Sequence, residues 1–179
     1  MANVFIGGSR AVSRLNALIK EQLDNLIAHQ STILVGDANG SDKAVQRYLA
    51  DQEYRSVCIY CMQDCRNNEG EWPIRSIRSS AKQKDFSYYS TKDRVMAEEA
   101  HCGLMLWDGK SKGTLSNIIT LLSSGKKVLV YLSPEKKFHR LTTIEELNLL
   151  FERCDPHDVE RATRQLGLTA NLKGVQLSI

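Results

Sequence analysis

Short, uninterrupted apolar runs recur along this chain, and the segments that follow them carry glycine-bearing loops and then residues of helical period. Residues 4–6 run into Gly7-Gly8, and Leu15, Leu18, Ile19, Gln22, Leu26 and Ile27 follow at close to helical spacing. The unit repeats: residues 32–35 are a β-branched run, residues 36–40 a loop, and Ser41 or Asp42 is placed to cap a helix running to about Ala50. Residues 57–61 read as a third strand, 91–100 as a helix, 103–107 as a fourth strand, 114–123 as a helix stopped by Gly125, and 128–132 as a fifth strand. A strand with one wet face alternates polar and apolar residues, whereas these runs are apolar on both faces. Such strands, separated by helices, belong to a parallel sheet covered on both sides by right-handed crossovers. The fold class is α/β.

At 179 residues, 42% of them hydrophobic, the chain has the length for one compact domain with a sizeable core. Beyond Pro134 only helices are expected, over residues 143–153, where Thr143 and Glu146 have capping-box spacing, and over 158–166. The division is therefore residues 1–140, a sheet domain with an insertion or lid at 62–90, and 141–179, a helical extension packing on the sheet edge or on another subunit, with 169–179 as a tail. A net charge of +3 is too small to imply duplex DNA or an anionic membrane as partner. With no apolar run near 20 residues, no charged segment before the first strand and five scattered cysteines, the expectation is a cytoplasmic protein with reduced thiols. Cys58, Cys61 and Cys65 lack a second pair at zinc spacing, so no metal is expected, and Met62, Met96 and Met105 are assigned to the core.

Three loops leave strand ends and enter helices: residues 7–10, 36–42 and 108–114. In an open parallel sheet they emerge on one edge, where ligands bind at the topological switch point. Glycines allow close approach, amides at a helix start favour an anion, and Arg10, Lys110 or Lys112 supply charge. Taken singly, each loop is equally a tight turn; their convergence favours a ligand. The P-loop and dinucleotide fingerprints are both absent, which disfavours kinases, P-loop NTPases and dinucleotide-dependent dehydrogenases.

Gly7-Gly8-Ser9-Arg10, then residues 36–44 (Gly-Asp-Ala-Asn-Gly-Ser-Asp-Lys-Ala), then Lys92-Asp93-Arg94-Val95-Met96, then residues 109–114 (Gly-Lys-Ser-Lys-Gly-Thr) together resemble the SLOG superfamily. That group includes the LOG phosphoribohydrolases, the DprA DNA-processing proteins and small YspA-like proteins, and the chain looks most similar to the last. The resemblance spans about residues 3–132. It implies a Rossmann-like sheet of five strands in the order 3-2-1-4-5, and a site for a nucleotide or nucleotide-derived ligand built from Gly7, Gly8, Ser9, Arg10, Gly36, Asp37, Asn39, Gly40, Asp42, Arg94, Asp108, Gly109, Lys112, Gly113, Thr114 and Asn117. Arg10, Lys112 and the Gly113-Thr114 backbone are expected on one anion, and Asp108 on ribose hydroxyls. In LOG-type hydrolases the last motif ends in a glutamate, and Asn117 stands at that position. An amide takes no proton near neutral pH, so the family's hydrolytic route is not expected, and Asp93 and Asp108 remain as candidate catalytic carboxylates. On residues alone Asp93 is a dipole-compensating acid at a helix start and Asp42 a helix cap.

Residues 62–90 carry Trp72, Phe86, Tyr88 and Tyr89, with Arg75, Arg78, Lys82 and Lys84 and no acid between residues 73 and 84. They read either as a crossover whose aromatics enter the core or as a lid over a nucleotide. Three functions compete: a module binding a nucleotide-derived ligand, a hydrolase of nucleotide N-glycosidic bonds, and a DprA-like binder of single-stranded nucleic acid. No cofactor beyond the nucleotide is expected, and a homo-oligomer and no membrane partner are.

Overall fold

The computed structural model describes residues 1–78 and 84–168, so the 169–179 tail and Lys82 lie outside the described residues. Five strands form the centre of the sheet: β1 (Asn3–Gly8), β2 (Thr32–Gly36), β3 (Val57–Met62), β5 (Cys102–Trp107) and β6 (Lys127–Leu132). All pair in parallel, and two further strands close the edges, giving the order β4-β3-β2-β1-β5-β6-β7. The architecture is Rossmann-like, with seven strands rather than the expected five.

The additional strands escape the sequence signal because both are edges. Strand β4 (Ile74–Ile77) is mostly exposed, and β7 (Lys137–Leu141) carries three basic residues in five. Strand β7 runs antiparallel to β6 through a tight turn in which Lys136 takes φ 53°, so the region after Pro134 is not helical throughout. The expected helices do follow. Helix α5 (Ile144–Phe151) has the Thr143/Glu146 capping box, and α6 (Pro156–Gln165) starts at Asp155; both pack on α4 (Lys112–Ser123).

Alternation along each central strand sends its two faces into separate cores. Val4, Ile6, Ile33, Val35 and Ile59 meet Ile19 and Leu23 of α1 (Ala17–Ala28) and Val45 and Leu49 of α2 (Ser41–Asp51). Phe5, Leu34, Tyr60 and Met105 meet Met96 of α3 (Phe86–Glu99) and Leu115 and Ile118 of α4. Helix α3 begins at an Asp85 cap, one and a half turns before the expected start, so Asp93 lies mid-helix rather than at a terminus. Helix α2 takes Gly40 as its N-cap, not Ser41 or Asp42. No helix among the described residues is long and apolar enough to cross a membrane.

Candidate functional site

The chain passes from β1 outward to β2 and β3, then returns to β5 on the other side of β1. The connections leaving β1 and β5 therefore turn to helices on opposite faces of the sheet, and a cleft of about 300 Å³ opens between them. Its floor is Gly7 and Gly8, with Phe5 and Met96 beneath. Gly113, Thr114 and Ser111, at the start of α4, form one side; Arg10 and Ala11, leaving β1, form another.

The floor is organised by Ser9. Its hydroxyl donates to Asp108 Oδ1 at 2.9 Å, lies 3.2 Å from Thr114 Oγ1 and accepts the Asp108 amide at 3.1 Å. Asp108 Oδ1 also accepts the amides of Lys110 and Ser111, which fixes the loop into α4. The amides of Lys112 and Gly113, in the unpaired first turn of α4, have no acceptor among the described residues, and Gly113 opens onto the cleft. Ser41 Oγ is buried against Gly8 and likewise has no partner.

A buried charge cluster forms the inner wall. Lys92, 5% exposed, donates to Asp93 Oδ1 at 2.7 Å and also faces Asp42. Gly36 makes room for it, since a Cβ there would stand 2.5 Å from Asp42 Oδ2 and 2.8 Å from Lys92 Nζ. Burial pushes the Asp42 carboxyl up to about 6, against the pull of Lys92, while its Oδ2 accepts the Ala38 amide. For Lys92 burial works against the charge, but Asp93 and Asp42 outweigh it and hold the ammonium above its ordinary range. Asn117 reaches this cluster, donating to Asp93 Oδ2 at 3.4 Å.

Opposite stand Arg66 and Tyr89. The Arg66 guanidinium lies 5.3 Å from the Tyr89 ring centre and grips Asp37 in a bidentate pair of 2.7 and 3.0 Å. Burial raises the Asp37 carboxyl, yet the Arg66 hydrogen bonds prevail and hold it below the usual range. Asn67 ties the same segment down, donating to Asp37 O and to Asn39 Oδ1.

Of the residues singled out in the sequence, Gly7, Gly8, Arg10, Asp42, Asp93, Asp108, Gly113, Thr114 and Asn117 line the cleft. Ser9, Gly36, Asp37, Asn39 and Gly40 stand behind its walls; Gly40, at φ +91°, packs directly on the Arg10 backbone. Gly109 packs beside Cys154 on the far side of the loop. Arg94 is exposed and Lys112 sits 4.6 Å over the Phe86 ring, and neither side chain is among the residues that line the cleft. Lys92 takes the inward position that the motif suggested for Arg94. Sequence reasoning did not single out Lys92 or Arg66 as lining residues, and Tyr89 entered only through the reading of residues 62–90 as a lid. For Arg66 the Gly-Asp-Ala-Asn-Gly loop was the available signal, because its Asp37 needs a cationic partner once buried.

The DNA processing protein A of Helicobacter pylori, described for its unique single-stranded DNA binding mode, superposes with a TM-score of 0.57 and 18% identity, over 85% of this chain and 72% of that one. The likeness is one of fold. Neither a protein-family model nor a curated protein matches the sequence.

Proposed function

We propose that the protein is a SLOG-type binding module that takes up a nucleotide or nucleotide-derived ligand in the β1/β5 cleft. The observation carrying this reading is convergence on one cleft: a glycine floor, the free amides of a helix start beside Arg10, and a planar Arg66–Tyr89 wall. Free amides and a guanidinium suit a phosphate; a flat cationic-aromatic wall suits a base; a volume near 300 Å³ lies at the small end of ligand sites. Binding without turnover is favoured by Asn117, which takes no proton, and by Asp93, whose charge is bound up with Lys92.

Calorimetric titration with nucleoside monophosphates, diphosphates and dinucleotides, with chromatography for released base, tests the proposal. Saturable binding without free base is expected. Release of base well above a heat-killed control, lost in Asp93→Asn, would replace the binding module by an N-glycosidic hydrolase. A second reading, single-stranded nucleic acid as the ligand, is favoured by the fold shared with DprA, whose described property is single-stranded DNA binding.

A further inference from the structure

The inner wall of the cleft sets one lysine beside two carboxylates. Lys92 gives its ion pair to Asp93, and no cation among the described residues stands at ion-pair distance from Asp42. Asp42 is 7% exposed, lies in the first turn of α2 and lines the cleft. Its Oδ2 is turned toward Gly36 and accepts the Ala38 amide at 3.2 Å, while its Oδ1 accepts no hydrogen bond among the described residues. A buried carboxylate with one hydrogen bond and no ion pair is costly while charged, and much less so once protonated. Protonation also supplies an O–H donor, and the oxygen free to carry it is the one without a partner. The neighbouring charges are Lys92 and Asp93 from α3, Asp37 from the residue after β2 and Arg66 from the segment after β3, while Arg10 and Asp108 line the same cleft. Against their burial, Arg66 holds Asp37 below the usual range and Asp93 holds Lys92 above it, so neither changes charge between pH 5 and pH 8. No histidine is among the described residues that line the cleft.

From this placement we infer that Asp42 binds the ligand as a neutral acid, its unpartnered Oδ1 carrying the proton and donating a hydrogen bond to an anionic oxygen of the bound nucleotide. One proton is taken from solvent on binding and stays on Asp42; no bond of the ligand breaks. The inference rests on the nucleotide reading of the cleft and adds two things to it, a proton bound together with the ligand and a residue that selects an acceptor-bearing anion. Burial supports it by pushing the Asp42 carboxyl up to about 6, close enough to neutrality for a ligand oxygen to complete the protonation. In its charged form the same carboxylate repels the anion that Arg10 and the α4 amides attract, so affinity falls as pH rises through 6.

The test uses the 5′-(methyl phosphates) of adenosine, guanosine and uridine, phosphodiesters whose single negative charge does not change between pH 5 and pH 8. Calorimetric titration in two non-phosphate buffers of different ionisation enthalpy reads the protons taken up on binding. The unmodified protein is expected to take up about half a proton or more at pH 7, and to bind about tenfold or more weakly at pH 8 than at pH 5. Asp42→Asn, uncharged at both pH values and able to donate from its amide, should bind within about threefold of the unmodified protein's pH 5 affinity, with no uptake and a flat pH profile. Saturable binding with less than about half a proton taken up, or the same uptake in Asp42→Asn, overturns the Asp42 assignment and leaves the nucleotide reading standing. No saturable binding of any of the three probes at pH 5 or pH 8 overturns both. The uptake is read on the unmodified protein, so the outcome does not depend on the folding of the variant.

Discussion

Replacing Lys92 by Met removes, among the described residues, the one cation paired with Asp93 and facing buried Asp42, at nearly constant side-chain length. Breaking a buried ion pair by deleting one partner costs about 3–5 kcal/mol, and the lower end applies here because Asp93 is 21% exposed and rehydrates. The pH dependence is more diagnostic than the size. The folded-state pKa of Asp42 is raised to about 6 from 3.8, so its contribution to stability is fully present below pH 3.8 and is lost as pH rises through 6. That difference amounts to about 3 kcal/mol by pH 8. Without Lys92 the pKa rises further, and each unit by which Lys92 held it down adds about 1.4 kcal/mol to the loss at pH 8 but almost nothing at pH 5, where Asp42 is already protonated. Urea unfolding of both proteins at pH 5 and pH 8 is the assay. An equal loss at the two pH values, or a loss below about 1 kcal/mol at pH 8, would refute the buried-cluster description.

Three further outcomes follow from the same geometry. Gly113→Ala, whose new methyl meets nothing closer than 3.9 Å, should stabilise the protein by about 0.5 kcal/mol through helix propensity while weakening nucleotide binding, as thermal melts and calorimetry would show; equal affinity would remove this loop from the site. Arg66→Ala should cost about 2 kcal/mol, less than a fully buried pair because the guanidinium is 38% exposed. Because Asp37 is depressed in the fold, its contribution is present above pH 3.8 and lost as pH falls, so this variant should lose part of its acid sensitivity in chemical unfolding. Asn117→Glu puts a second carboxylate within reach of Asp93 Oδ2, and any nucleotide hydrolysis should appear in this variant rather than in the unmodified protein, as base release would report.

The central five strands were legible because strands buried on both faces must be apolar along their buried length, and β1, β2, β3, β5 and β6 are so beyond their first residues. Edge strands face no such demand: Ile-Arg-Ser-Ile in β4 and Lys-Phe-His-Arg-Leu in β7 are set by pairing to a neighbour, which leaves little local trace. In the cleft, the glycine loops and the start of α4 were legible because turn chemistry is local. Lys92 was not, since a lysine in a helix is normally solvated, and it is buried here only because Asp42, Asp93 and the space over Gly36 come together from separate segments. Arg66 and Tyr89 meet across 23 residues of chain containing an unforeseen strand.

The most direct test of a nucleotide cleft is an amide NMR titration of the isotopically labelled protein with nucleoside monophosphates, dinucleotides and a single-stranded oligonucleotide. Saturable shifts centred on Gly7, Gly8, Gly113 and Thr114, abolished in Gly113→Val, are the predicted result. Saturable shifts confined to residues outside the cleft, or none with any of these ligands, would contradict it.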